Sequence, residues 1–542
     1  MMKKNKYSRE LFIKYRKYVY TNIIILFIIT FWSIIGPIVL RSVLNSSNNA
    51  FNTKNIAMYF GIVVLLYVTK YIYNHFKFFF TEKFKNNETV DLYEKVFRMK
   101  YSKINELEPT YITERVSLTI ETVFSLYVSS LTGILVSCII MIVTLGMVFY
   151  INKLLFILYF VQIPLQYFGF QKLLNGENSK LAHYGTELQK LRATSNKNIK
   201  LILSDVNGVK QYGKNSIILD LIRDNLKKAN ALERTANTYA MSVCTVLEFI
   251  SICLKNSSYL FIIYMYINGG VSVGDLVYLN LVNDIYYNCI GDVINIQINL
   301  RNLKGSLDFV SKEIEDNFEE NGDKILSEIC TISGSAENIG YGKENVLIKQ
   351  GEFSFARGDV IGIKGESGCG KTTFVKLLNK FEESNRIYIN GSDIMKYDNT
   401  SLREKVIYLP QNTYLLPCSV KDNILMGREV DESRWEKLLK YDFMTNILDK
   451  GLDKIVLENA SNLSGGDRQK IILARLFMQN PDVVILDESF NAIDEETGES
   501  LFEILKAIYT DKIIIIISHS PKYLNHCNKI IEIKDKELIQ FR

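Results

Sequence analysis

The chain has 542 residues, and its net charge of +5 is too small for that length to suggest a nucleic-acid binder with a dominant basic field. Hydrophobic residues at 48%, charged residues at 23% and only 7 Pro exclude a disordered or linker-like chain. A mean hydropathy of +0.05 is high for a soluble protein and low for one lying wholly in a membrane, as expected if about six spans of ~20 residues were joined to a large water-soluble part. The 8 Cys are scattered without a C-x-x-C pair, and 4 His leave little from which to build a metal site.

Residues 1–19 carry Lys3, Lys4, Lys6, Arg9, Lys14, Arg16 and Lys17 against the single acid Glu10, and run into an apolar stretch at 23–40. No small-x-small cleavage site follows and more such stretches come later, so this reads as a retained first membrane helix and not a signal peptide. Further spans are expected at 56–80, 126–150, 154–171, 239–267 and 271–298, which places both termini on one side. The connections after spans 1, 3 and 5 hold only Arg41, Lys54 and Lys153, whereas 81–125 and 172–238 are rich in Lys and Arg. The termini and those two long connections are therefore expected in the cytoplasm. Both connections also read as helices, for example over 209–236, extending the membrane helices beyond the bilayer.

After residue 298 the texture becomes charged, and Asp316, Glu319, Glu320 and Asp323 mark a boundary. The expected organisation is a six-helix, all-α transmembrane domain at 1–315, a linker at 316–335 and an α/β domain at 336–542. In the last part β-branched runs at 359–364, 405–409, 482–486 and 512–517 alternate with helical segments, the pattern of a mostly parallel sheet covered by helices.

That domain carries the chemistry. Gly365, Glu366, Ser367, Gly368, Cys369, Gly370, Lys371, Thr372 and Thr373 form a G-x-x-x-x-G-K-[ST] loop between an expected strand and an expected helix. Its backbone N–H groups would converge on phosphate oxygens of a nucleotide, Lys371 would reach the β- and γ-phosphates, and the Thr372 hydroxyl would ligate Mg²⁺. Cys369 reads as a small residue at a variable position. The run Val483-Val484-Ile485-Leu486-Asp487-Glu488 is a buried strand ending in two acids. Period-two geometry lets Asp487 address the metal and Glu488 the attacking water. Between the two lies Leu463-Ser464-Gly465-Gly466-Asp467, a second helix start suited to an anion.

The order phosphate loop, Gln411, LSGGD, VVILDE and His519, downstream of six spans, resembles an ATP-binding-cassette (ABC) exporter half-transporter over essentially the whole chain. The resemblance implies a type I-like exporter membrane domain fused to a P-loop NTPase, and a head-to-tail dimer of cassettes. Ser464, Gly465 and Gly466 would then contact the γ-phosphate bound by the other copy. Gln411 would reach Mg²⁺ and sense the membrane domain, and residues 491–494 would couple the two sites. His519 would lie near the γ-phosphate, and Tyr341 would stack on adenine. Segments at 95–116 and 208–215 resemble the cytoplasmic coupling regions of exporters. The family's signature usually ends in Gln where this chain has Asp467, so an altered rate without loss of function is expected. With Lys371, Asp487, Glu488 and His519 all present, a homodimer could hold two complete sites and is the favoured assembly, with a different half-transporter as the alternative partner.

Asn280, Asp284, Tyr287, Asn288, Gly291, Asp292 and Asn295 recur at three- or four-residue steps in the last span, and Glu248 and Lys255 share a face of the span before it. A polar, partly acidic path of this kind suits a peptide or amphiphile. The stretch 456–462 also resembles that of bacterial peptide and bacteriocin exporters. Only about twenty residues precede the first span and none is Cys, so leader cleavage by this chain is not expected. The reading is an ATPase-driven exporter in the membrane of a bacterial cell, with multidrug or lipid export, or an ATP-gated regulatory protein, as alternatives.

Overall fold

Long apolar runs and basic amphipathic connections fold as helix from the first described residue onward. The protein is seen here in a computed structural model that describes residues 6–45, 53–125, 131–175, 178–204, 206–212, 215–341, 345–382, 386–411 and 413–541. It divides into two compact units, Met1–Phe318 and Glu319–Arg542.

The first unit is helical: α1 (Lys6–Asn45), α2 (Thr53–Phe97), α3 (Tyr101–Leu107), α4 (Pro109–Ser125), α5 (Leu131–Ile151), α6 (Lys153–Asn175), α7 (Asn178–Ser204), α8 (Val206–Tyr212), α9 (Asn215–Ile267) and α10 (Val273–Asp308). Among the described residues 4 helices are long and apolar enough to cross a membrane, at Arg9–Asn45, Thr53–Phe97, Gly133–Ile151 and Glu248–Ile267. The fourth expected span corresponds to α6, whose apolar part Lys153–Leu165 is shorter. The sixth falls in α10, where Asp275, Asn280, Asn283, Asp284 and Asn288 dilute the apolar residues. Residues 126–130, expected to open the third span, and 213–214, in the expected second coupling segment, lie outside the described residues.

The apolar faces of these helices form two cores. Val148, Leu155, Tyr159, Ile262, Leu279 and Tyr286 join α5, α6, α9 and α10, while Leu11, Phe84, Leu92, Val116 and Leu303 join α1, α2, α4 and α10. Local chemistry sets where α10 begins. Ser272 caps it in a reciprocal pair with Asp275, and Arg41 of α1 donates to the same carboxylate at 2.5 Å. The extramembrane length expected of α2 and α9 is present, since both helices run far past the ~20 residues a bilayer needs.

The second unit is built on strands β1 (Thr331–Ser335), β2 (Ile339–Tyr341), β3 (Asn345–Ile348), β4 (Glu352–Ala356), β5 (Val360–Gly365), β6 (Ile387–Ile389), β7 (Ser392–Asp393), β8 (Val406–Leu409), β9 (Val483–Asp487), β10 (Ile513–Ile517), β11 (Lys529–Lys534) and β12 (Glu537–Phe541). Six of them form one sheet in the order β12-β11-β5-β10-β9-β8, parallel throughout except at β12. Every residue of β9 and β10 is buried, as in a sheet covered on both faces. Alternate residues go to opposite cores: Val484, Leu486, Ile514 and Ile516 to one, Val483, Ile485, Ile513 and Ile515 to the other.

A second sheet, β4-β1-β6-β7, is antiparallel, and β2 pairs with β3 in a hairpin. Neither follows from the alternation of strand and helix, because their strands are short, and β1 is polar as well, as Thr331-Ile332-Ser333-Gly334-Ser335. Residues 331–335 lie in the stretch read as a linker, yet they form a strand paired on both edges, with β4 and with β6.

Candidate functional site

Of the residues expected at the site, those of 365–373, Gln411, Asp487, Glu488 and His519 lie at or just beyond the carboxyl ends of β5, β8, β9 and β10, the edge where open parallel sheets hold ligands. β5 ends in Gly365, where a Cβ would lie 2.7 Å from the Ile533 carbonyl oxygen, so only glycine fits. The loop closes at Gly370, which caps the helix Lys371–Leu377 in the left-handed region at φ 108°. Buried Lys371 folds back over this loop, and its Nζ donates to the carbonyl oxygens of Gly365 and Glu366, each at 2.9 Å. Glu366, Ser367 and Gly368 are exposed at the rim, Cys369 is half-buried, and Thr373 is buried in the first turn.

From this helix Thr372 Oγ1 donates to Asp487 Oδ2 at 2.8 Å, and from β8 the Tyr408 hydroxyl donates to the same oxygen at 3.0 Å. Asp487 is only 2% exposed. Burial pushes its pKa up, and neighbouring Glu488 adds to this, while Thr372 and Tyr408 pull it back by bonding the ionised form. Glu488 follows in the left-handed region at φ 49° and turns the chain away from its neighbour. Its carboxylate accepts from Gln411 Nε2 at 2.6 Å and Asn491 Nδ2 at 2.8 Å, with His519 Nε2 at 3.6 Å. The two acids thus have separate partners, one on the phosphate loop and one among residues from three loops. Gln411, expected at the metal, bonds Glu488 here.

Ser464 caps the helix Gly465–Phe477 in a reciprocal box with Asp467, which pairs in turn with Lys450. Gly465 and Gly466 lie against Ala492, where a Cβ on Gly466 would come within 3.4 Å of the Ala492 carbonyl oxygen. The helix start therefore packs beside the loop that follows Glu488. Among the described residues no hydrogen bond joins Ser464, Gly465 or Gly466 to the phosphate loop or to Glu488. Tyr341 ends β2, and its side chain lies outside the described residues.

Two participants escape the motif reading, Tyr408 and Lys450, whereas Asn491 falls in the stretch 491–494 and bonds Glu488 here. For Tyr408 a signal existed. It pairs with Ile485 across β8 and β9, and Ile485 shares a strand face with Asp487, so two-residue periodicity puts the phenol on the acid's side. Lys450 is remote in sequence from Asp467, and only the fold unites them.

The fold and this edge define a P-loop nucleotide cassette on the same chain as a helical membrane unit. A family profile described as "ABC transporter transmembrane region" matches residues 19–287, and one described as "ABC transporter" matches 348–491. The chain belongs to the ABC transporter family. Among curated relatives it is 29% identical over 286 residues to the SPbeta prophage-derived sublancin-168-processing and transport ATP-binding protein SunT of Bacillus subtilis, covering 51% of this chain and 40% of that one. It is 31% identical over 198 residues to an ATP-dependent lipid A-core flippase of Polaromonas sp., covering 36% of this chain and 34% of that one. The chain thus spans less than half the length of these two relatives. A solved structure, a bacterial Atm1-family ABC exporter with ATP bound, superposes with a TM-score of 0.82 over 97% of this chain and 95% of that one. At 17% identity this likeness concerns the fold alone.

Proposed function

We propose that the protein is an ATP-driven exporter in which two half-transporters, favoured as identical copies, bind and hydrolyse ATP between their cassettes and move a peptide or amphiphile outward across a bacterial cell membrane. The observation that carries this reading is the division of labour between Asp487, buried on Thr372, and Glu488, held by Gln411, Asn491 and His519. The loop 365–373 would cradle the phosphates, with Lys371 exchanging its two carbonyl partners for phosphate oxygens and Tyr341 beneath the adenine. Glu488 would polarise the attacking water, and His519 would lie beside the γ-phosphate.

The donor set fits a substrate-borne Mg²⁺. Thr372 and Asp487 supply hard oxygens, Gln411 bonds Glu488, the neighbour of Asp487 in sequence, and among the described residues no cluster of three or more His, Cys, Asp or Glu forms a cage of its own. When bound, the cation would neutralise phosphate charge. Asp487 must be ionised to hold it. Because burial raises that pKa, turnover should fall as pH drops through it, and Tyr408→Phe, which removes a donor to the ionised form, should move this acid limb to higher pH. A pH profile of Mg²⁺-dependent ATPase reads the shift, and an unmoved limb would separate Tyr408 from the metal site.

Among the described residues no hydrogen bond joins Ser464, Gly465 or Gly466 to the phosphate loop of their own chain, which supports their meeting the nucleotide of a second copy. Peptide cargo is supported by the sublancin-transporting relative and by the polar groups of α9 and α10. There Asp284 pairs with Lys255 at 2.6 Å and accepts from the Tyr259 hydroxyl at 2.5 Å. Ionisable groups at membrane depth mark a hydrated path or cargo contact more often than lipid contact. The lysine and arginine balance of the connections supports a cytoplasmic N-terminus and cassette.

The test is ATP-dependent uptake of a fluorescent cationic peptide into inverted vesicles bearing the protein. Uptake abolished by Lys371→Ala would support the reading. Flipping of a fluorescent phospholipid in its place would transfer the cargo to the lipid class.

A further inference from the structure

Asp467 stands where the family pattern has Gln, and its contacts bear on the residue proposed to meet nucleotide. The Ser464 hydroxyl donates to Asp467 Oδ2 at 2.6 Å and accepts from the Asp467 N–H at 3.1 Å, while the Ser464 N–H donates to the same carboxylate oxygen at 3.2 Å. Lys450, closing the helix Thr445–Lys450, pairs with that oxygen as well. Asp467 is 5% exposed. Burial alone would raise its pKa, but the Lys450 ammonium and the Ser464 donors outweigh it and hold the carboxyl below its ordinary value. The group is therefore a charged acceptor at neutral pH.

Two consequences follow for an anion arriving at Ser464. The hydroxyl has a single proton, now committed to a short, charge-assisted bond, and must leave it to donate to a phosphate oxygen. The carboxylate also repels a phosphate brought within a few ångströms, by an amount that depends on how fully Lys450 neutralises it. A Gln at this position would still complete the capping box, since both Glu and Gln serve at the third position, and it would carry no charge.

Resting on the proposed trans contact of Ser464 with nucleotide, we infer that Asp467 is a positioning residue that withholds the Ser464 hydroxyl and slows use of the ATP bound by the partner copy, with Lys450 setting the strength of this brake. The restraint belongs to the signature motif and not to the phosphate loop.

The experiment measures kcat, KM and Tm of the full chain in lipid nanodiscs for wild type, Asp467→Gln, Lys450→Met and the double variant, beside binding of a fluorescent ATP analogue. Asp467→Gln should raise kcat/KM about fivefold, the scale of one net hydrogen bond, with Tm unchanged or lower. Lys450→Met alone should lower kcat/KM by about the same factor, because it leaves the carboxylate uncompensated. In the Asp467→Gln background it should change kcat/KM less than about twofold, the coupling that a double-mutant cycle isolates. A flat or reduced kcat/KM in Asp467→Gln overturns the inference and leaves Asp467 as a helix cap. A wild type without turnover that gains it on Asp467→Gln supports the brake. If neither turns over while the analogue still binds, the brake is refuted and nucleotide binding stands. Loss of analogue binding would instead sink the nucleotide reading itself.

Discussion

Glu488→Gln should lower Mg²⁺-dependent ATP turnover by about a thousandfold, within the range for removing a general base, while leaving ATP binding within a few-fold of wild type. The substitution preserves shape, and the amide oxygen can still accept from Gln411 and Asn491, which now bond the carboxylate at 2.6 and 2.8 Å. It removes the charge that would draw a proton from water. Glu488 holds its left-handed backbone in either form, because its N–H bonds the Ile517 carbonyl oxygen at 3.0 Å. A single-turnover assay with radiolabelled ATP, beside equilibrium binding, separates chemistry from affinity. Turnover reduced less than about tenfold would move the base elsewhere and favour an ATP-gated regulatory protein with slow hydrolysis.

What the sequence made legible follows from how local each signal is. The phosphate loop, the β9 acids and the capped helix at 464 are each written in consecutive residues, and the expected strand at 359–364 corresponds to β5 within a residue at each end. The helix start expected within 463–467 corresponds to the helix Gly465–Phe477 capped by Ser464, and the helix expected after the phosphate loop begins at Lys371. The antiparallel sheet is hidden because β1, β6 and β7 are short, and β1 pairs with β4 and β6, both well outside its local sequence. The sixth expected span falls in α10, where the polar positions noted in the sequence dilute the apolar ones, so helix geometry rather than hydropathy marks its extent. Asp467 was legible as a departure, yet its restraint on Ser464 and its pairing with Lys450 are visible only in three dimensions.

Lys371→Ala should weaken ATP binding by about a hundredfold and abolish turnover with it. The buried ammonium spans the loop by donating to the carbonyl oxygens of Gly365 and Glu366, both at 2.9 Å, so it already sits among the groups that would surround the phosphates. Replacing those two neutral acceptors by anionic phosphate oxygens turns bonds between an ammonium and a dipole into bonds between opposite charges, each worth about 1.5–3 kcal/mol. Two such bonds correspond to about a hundredfold or more in affinity. In the absence of nucleotide the variant loses only two bonds at a loop edge, so its Tm should fall by no more than a few degrees, the scale of about 1 kcal/mol. The contrast appears on adding ligand. Wild type at about a hundred times its dissociation constant for ATP gains about 2.7 kcal/mol, and Lys371→Ala at the same concentration gains only a few tenths. A thermal-shift titration with and without Mg²⁺ reads this difference without relying on turnover. An equal ATP-induced shift in both proteins would show that the loop does not bind the phosphates through Lys371, and would remove the basis for assigning the cassette its nucleotide.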